Sequence, residues 1–151
     1  VSVIRERAKT AKVPILGICL GMQMLFGVSH EYGRHNGLDL IPGSVLPMDS
    51  KIDDVRKRKI PHVGWNELRR PECRDSWKNS CLQDMEPGGF CYFSHSYMAV
   101  PKNYEDALAV VDYQGLEFVA AVQRANVTGL RFHPELSGKV GLEVLRQFLS
   151  I

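Results

Sequence analysis

The stretch VPILGICLGMQ, residues 13–23, runs from an aliphatic segment into a cysteine set between two glycines, and then into a second apolar segment. Residues 13–18 form a β-branched and aliphatic run, interrupted by Gly17 and entered through Pro14, the pattern of a fully buried strand. From Leu20 the residues LGMQMLFGV are apolar on most faces, with no breaker before Gly27, which predicts a helix over 20–28. Cys19 therefore falls at a strand-to-helix corner. Gly17-Ile18-Cys19-Leu20-Gly21 has the G-x-nucleophile-x-G form, with cysteine where hydrolases carry serine. Such a corner strains the nucleophile's backbone, and the flanking glycines let neighbouring chain pass without clashes. A helix that starts here turns its N-terminal dipole toward the sulfur. Its first free amide, at Leu20, can bind an oxyanion. A structural cysteine buried at a tight turn is the other reading of this motif.

Outward from the corner, 151 residues suit one domain spanning 1–151 with a substantial core. The fractions of hydrophobic (44%) and charged (24%) residues are those of ordinary globular chains, and a net charge of +2 argues against nucleic-acid or membrane partners. The RKRK run, residues 56–59, follows Asp53 and Asp54 and reads as a solvated loop or a patch facing a partner subunit. No apolar run approaches bilayer length and no signal-peptide pattern is present, so a cytoplasmic location is expected. The cysteines at 19, 73, 81 and 91 form no C-x-x-C pair, which argues against zinc. Cys73, Cys81 and Cys91 read as free thiols of a reducing compartment, and neither metal nor cofactor is expected. The opening VSVIRERAKTAK resembles the rear half of an amphipathic helix, so further chain is expected upstream of Val1.

Residues 3–12 read as that helix. GLDLIPGSV reads as a strand or hairpin arm, KIDDVRKRKI as a loop or exposed ribbon, and IPHVGWNEL as a strand ending in a Gly-Trp-Asn turn. RRPECRDSWKNSCLQDMEPGG mixes Pro, Gly and polar residues and reads as loop with a short helix. FCYFSHSYMAV, bounded by Gly89 and Pro101, is the strongest β signal. ALAVVDY and FVAAVQRAN form two strands around a turn at Gln114-Gly115, VTGLRFHPEL a further strand, and SGKVGLEVLRQFLSI a closing helix. A helix–strand–helix unit, a mostly β middle and a terminal helix predict an α/β fold with a central sheet flanked by helices.

A thiol nucleophile needs a base, and the chain has five histidines. His30 and His35 lie in a polar stretch and should face solvent, while His62 and His95 lie in strand-like segments. His133 differs, because Phe132-His133-Pro134-Glu135 ends a strand. Residues two apart in extended chain point the same way, so Glu135 can orient His133, and Pro134 stiffens the link. The order Cys19, His133, Glu135 supplies a nucleophile, a base and an orienting carboxylate. A strand-end histidine beside a solvated glutamate is the alternative reading.

Together, GICLGMQ and FHPE at this separation resemble the class I glutamine amidotransferase domain, over nearly the whole chain. GLDLIPG, PHVGWN and YFSHSY are similar to the glutaminase branch of imidazole glycerol phosphate synthase, in histidine biosynthesis. The resemblance implies a flavodoxin-like sheet and a Cys19–His133–Glu135 triad that hydrolyses glutamine through a γ-glutamyl thioester. It implies that Gln23 and Glu31 grip the substrate, and that His95, Ser96 and Tyr97 offer main-chain contacts to its amino-acid end. Tyr92 and the Gly64-Trp65-Asn66 turn would face a cyclase subunit with a (β/α)8 barrel, into which ammonia passes.

Two departures stand out. The family carries a Gly-rich loop of the PGVG type before the elbow, completing the oxyanion hole, and opening strands before that. Residues 1–151 contain neither, so an N-terminally incomplete domain is expected. Leu136 follows the HPE motif where this branch usually has lysine. HEYGRHNGLDL also has the character of paralogues that supply ammonia to a sugar-modifying synthase in surface-polysaccharide biosynthesis. An inactive fragment, or a module that docks without hydrolysing glutamine, is the non-catalytic alternative.

Overall fold

The computed structural model describes residues 2–10, 13–51, 59–86 and 88–150. Helix α1 covers Ser2–Lys9. Strand β1, Ile15–Ile18, leads through the corner into α2, Leu20–Leu25. There follow β2 (Phe26–Ser29), β3 (His35–Asn36), β4 (Ile41–Pro47) and β5 (His62–Glu67). Next come β6 (Phe90–His95), β7 (Tyr97–Pro101), β8 (Ala107–Tyr113), β9 (Leu116–Arg124) and β10 (Val127–Leu130), with α3 (Gly138–Leu149) closing the chain. Eight strands form one mixed sheet in the order β1-β10-β9-β7-β4-β2-β3, with β8 also paired to β9. β5 and β6 form a separate antiparallel ribbon.

The large sheet divides two apolar clusters. One gathers Phe93, Leu108, Phe118, Phe132 and Val144 of α3; the other gathers Ala8 of α1, Met22 and Leu25 of α2, Ile41 and Val122. Neighbours Phe118 and Val119 of β9 enter opposite clusters, as strand alternation demands. Because both faces are covered, ALAVV in β8 and FVAAV in β9 read as continuous apolar runs. β1 and β10 pair in parallel, with Ile18 opposite Leu130, so their carboxyl ends lie side by side. That edge is where sheets of this type place their chemistry.

Four local expectations need correction. The helix expected over 20–28 ends at Leu25, and Phe26 turns into β2. Leu38, Leu40 and Asp39 donate their amides to the carbonyls of Met24, Leu25 and Phe26, at 2.7, 2.9 and 3.2 Å, so tertiary bonds take the acceptors that helix continuation needs. Gly37 permits this approach: a Cβ there would sit 2.1 Å from the Phe26 oxygen. Gly64-Trp65-Asn66 is not a turn but the middle of β5, in register with Phe93, Tyr92 and Cys91. FCYFSHSYMAV breaks at Ser96 and divides between the ribbon and the large sheet. The strand expected over VTGLRFHPEL stops at Leu130.

Residues 71–86 contain turns and no helix. Trp77 pins this loop by donating Nε1–H to the Leu108 carbonyl at 2.7 Å. In the charged run, residues 52–58 lie outside the described residues, and with them most of RKRK. None of the described helices is long and apolar enough to cross a membrane.

Candidate active site

The corner holds Cys19 at φ 50° and ψ −103°, in the sparsely populated positive-φ region. Three bonds over-determine it. Cys19 N–H donates to the Leu130 carbonyl at 2.7 Å, and the Cys19 carbonyl accepts from Gln23 N–H at 3.2 Å and from Arg131 NH1 at 3.1 Å. Gly17 lets α2 pack directly against β1, since a Cβ there would lie 2.7 Å from the Gly21 carbonyl carbon and oxygen. Gly21 faces open space, so the two glycines of the motif are not equivalent. Leu20 opens α2, which places its amide at the first free position beside the thiol.

His133 lies three residues beyond the end of β10. Its amide donates to the Tyr92 carbonyl at 2.8 Å and its carbonyl accepts from Ser137 Oγ at 2.6 Å. Ser137 Oγ in turn accepts from Tyr92 N–H at 2.9 Å, closing a bridge between the ribbon and the histidine. His133 Nδ1 lies 2.7 Å from Glu135 Oε1, so the neutral ring carries its proton on Nδ1 and presents Nε2 as a base. The contact arises differently from the strand alternation expected. Pro134 starts a 3-10 turn over Pro134–Leu136, and the turn brings Glu135 back to the ring. No hydrogen bond joins the Cys19 and His133 side chains among the described residues.

Beside the elbow a cavity of about 320 Å³ is lined by Leu20, Gln23, Met24, Glu31, Tyr32 and His35, among others. Gln23 is buried, accepts from Arg131 NH1 at 2.6 Å and donates Nε2–H to Glu31 Oε2 at 2.6 Å. Its amide orientation is thereby fixed from both ends. His30 and His35 are exposed, as expected. Tyr97 is half-buried, its ring centroid 6.5 Å from that of Tyr32 on the cavity wall. The Ser96 carbonyl accepts from Met48 N–H at 3.0 Å. The His95 side chain is not at the cavity. Its ring is buried, with Nδ1 2.8 Å from the Tyr97 carbonyl and Nε2 3.1 Å from His62 Nδ1. Burial pushes the His62 pKa down to about 4; burial, aided by the nearby Arg131 charge, pushes His95 down to about 2. Both rings are neutral at pH 7.

Arg131 escaped the sequence reading. It is 3% exposed, and its Nε has no hydrogen-bond partner among the described residues. Burial works against its positive charge, opposed by Cys19 and Glu31. Its one sequence signal is a lone cation in VTGLRF, an otherwise apolar run. The four cysteines are all free: Cys73 is exposed, while burial pushes the Cys81 and Cys91 thiols up to about 12. Among the described residues no cluster of three or more His, Cys, Asp or Glu could hold a metal.

A cysteine on a strained strand-to-helix corner, beside a parallel strand that delivers a His–Glu pair, defines a class of protein. Residues 1–151 match the family of class-I glutamine amidotransferases, and the chain belongs to it. Within that family it is similar to "Imidazole glycerol phosphate synthase subunit HisH 1" of Legionella pneumophila (strain Paris), 44% identical over 148 residues. That alignment covers 98% of this chain and 69% of the Legionella protein. The HisH subunits of Moorella thermoacetica and Aquifex aeolicus are 43% and 40% identical, with 64% and 65% of their lengths covered. Two solved glutamine amidotransferases share the fold: one at TM-score 0.65 and 17% identity, and one from Thermotoga maritima at TM-score 0.60 and 16% identity. Each alignment covers 99% of this chain, against 66% and 52% of the solved chains.

Proposed function

We propose that this domain hydrolyses glutamine to glutamate and ammonia and delivers the ammonia to the cyclase subunit of imidazole glycerol phosphate synthase in histidine biosynthesis, in the cytoplasm. Cys19 Sγ attacks the side-chain carboxamide carbon as His133 Nε2 takes the thiol proton. The tetrahedral oxyanion points at the Leu20 amide. The C–N bond breaks as His133 returns the proton to the leaving nitrogen, releasing ammonia and leaving a γ-glutamyl thioester. Water, deprotonated by the same ring, then displaces the sulfur and frees glutamate. Glu135 holds the imidazole through both half-reactions. Gln23 and Glu31 grip the substrate from the cavity wall, and the main chain at His95, Ser96 and Tyr97 meets its amino-acid end. The observation that carries this reading is the over-determined, positive-φ backbone of Cys19, whose neighbour Leu20 lines that cavity.

The ribbon supports the partner. Val63, Trp65, Phe90 and Tyr92 project from one of its faces; the first three are 55%, 54% and 50% exposed. Trp65 and Tyr92 pack edge to face at 6.1 Å. Leu136 and Leu20 are also exposed. An apolar face that shares Tyr92 with the His133 mount suits a barrel subunit receiving ammonia before water can protonate it.

The test is glutamate release with each candidate synthase added in turn. Stimulation by the histidine-pathway cyclase is expected. Stimulation only by a sugar-modifying synthase would move the protein to the paralogous pathway, and silence with both would refute the assignment. A glutamine-like chloroketone should label Cys19 alone, and not a Cys19→Ala variant.

A further inference from the structure

The buried histidine pair lies outside the chemistry just described, yet its hydrogen bonds leave little freedom. The Tyr97 carbonyl can only accept, so His95 must carry its proton on Nδ1. A neutral ring protonated there has a bare Nε2, which can only accept, so the facing His62 Nδ1 must be the donor. A doubly protonated His95 would reverse that logic, but the ring is buried against Phe93 and Phe118 and lies near the Arg131 cation. The His62 ring is clamped as well, with Tyr113 and Phe93 at centroid distances of 4.0 and 4.9 Å.

The bond to Tyr97 replaces one the sheet does not supply. Met48 N–H takes the Ser96 carbonyl, so in an antiparallel ladder the next carbonyl, that of Tyr97, turns to the opposite edge of β7. There β7 and β9 are in register only at Ala99 and Val119. His95 thus reaches the Tyr97 carbonyl two residues short of the Ala99–Val119 register, at the point where ribbon and sheet part.

We infer that His62 is a positioning residue for glutamine binding: it holds His95 in the tautomer that anchors the Tyr97 carbonyl, and so fixes the Ser96–Tyr97 backbone. The inference rests on the reading above that this backbone meets the substrate's amino-acid end. His62 touches neither the thiol nor the cavity, so its removal acts on affinity rather than on bond breaking.

Two measurements test it. In the full chain with 15N-labelled imidazoles, NMR at pH 7 should show both rings neutral and protonated on Nδ1; an Nε2–H signature on either ring overturns the inference. In synthase-stimulated glutaminase assays, His62→Phe should raise KM for glutamine about tenfold, the effect of one lost hydrogen bond, with kcat within about twofold. His62→Asn, whose side-chain amide donates from near the Nδ1 position, should recover most of that loss. A loss confined to kcat, or Asn behaving like Phe, overturns it. If the wild-type protein hydrolyses no glutamine with either synthase, the functional reading fails, and the NMR result still decides the tautomers.

Discussion

Replacing Gly17 and Gly21 separately by alanine tests the geometry of the elbow, because the sequence motif treats the two alike and the structure does not. An alanine Cβ at 17 would lie 2.7 Å from two backbone atoms of Gly21 and 2.9 Å from Leu25 Cδ1. Ordinary contact begins at 3.4 Å, so about 0.7 Å must be found. Backbone cannot rotate away as a side chain can, so the start of α2 must lift off β1. Overpacking of this kind costs about 1–3 kcal/mol, and the upper half of that range is expected here. Cys19 moves with the helix, and a misplacement on the order of 1 Å can lower turnover about 100-fold. At Gly21 a Cβ meets nothing within 4 Å, and glycine-to-alanine exchange inside a helix stabilises by about 0.5–1 kcal/mol. Urea unfolding with matched m-values reads the stability of both variants, and synthase-stimulated glutamate release reads the turnover. A folded Gly17→Ala protein with wild-type midpoint and kcat would refute the close-packing argument, as would Gly21→Ala proving the more damaging change.

Further outcomes follow from the site. His62 and His95 titrate far below the ordinary histidine value, so the unfolded chain takes up protons that the native chain refuses; stability is complete above about pH 6.5 and falls as the pH drops. Each ring contributes a slope of about 1.4 kcal/mol per pH unit, and His62 alone accounts for roughly 3 kcal/mol by pH 4; flat urea midpoints between pH 7 and 5 would contradict this. Arg131→Met should lower kcat about tenfold or more by releasing the Cys19 carbonyl and Gln23. The same variant should also unfold earlier than wild type, because methionine leaves the buried Gln23 Oε1 and the Cys19 carbonyl without their Arg131 donor; equal activity would remove Arg131 from the site. Glu135→Gln should cut kcat about 10- to 100-fold with KM for glutamine little changed, measured by the same glutaminase assay.

The elbow was legible because its signature is local: the short apolar run VPILGI, then a cysteine between glycines. β8 and β9 were legible for a similar reason, as continuous apolar runs around Gln114 and Gly115, both at positive φ. The overrun of α2 has a different origin. FGV continues the apolar pattern of LGMQML, and only the amides of residues 38–40, unseen in any local window, show where the helix must end. Gly64-Trp65-Asn66 carries turn-like residues, yet the aromatic strand opposite holds it extended. The Glu135 contact was legible with its partner but not with its backbone, because a strand sets side chains i and i+2 on one face while here the 3-10 turn over Pro134–Leu136 brings Glu135 to the ring. Arg131 was hidden because its partners Cys19 and Gln23 lie 112 and 108 positions away along the chain.

The uneven exposure of the four sulfurs has a practical consequence. With Cys81 and Cys91 sealed in the core as protonated thiols, a soft electrophile in neutral buffer chooses between Cys19 and the exposed Cys73. Exchanging Cys73 for serine would leave a single addressable sulfur at the elbow, next to Leu20 of the cavity wall. A fluorophore or spin label placed there would become a site-specific reporter of binding beside the elbow.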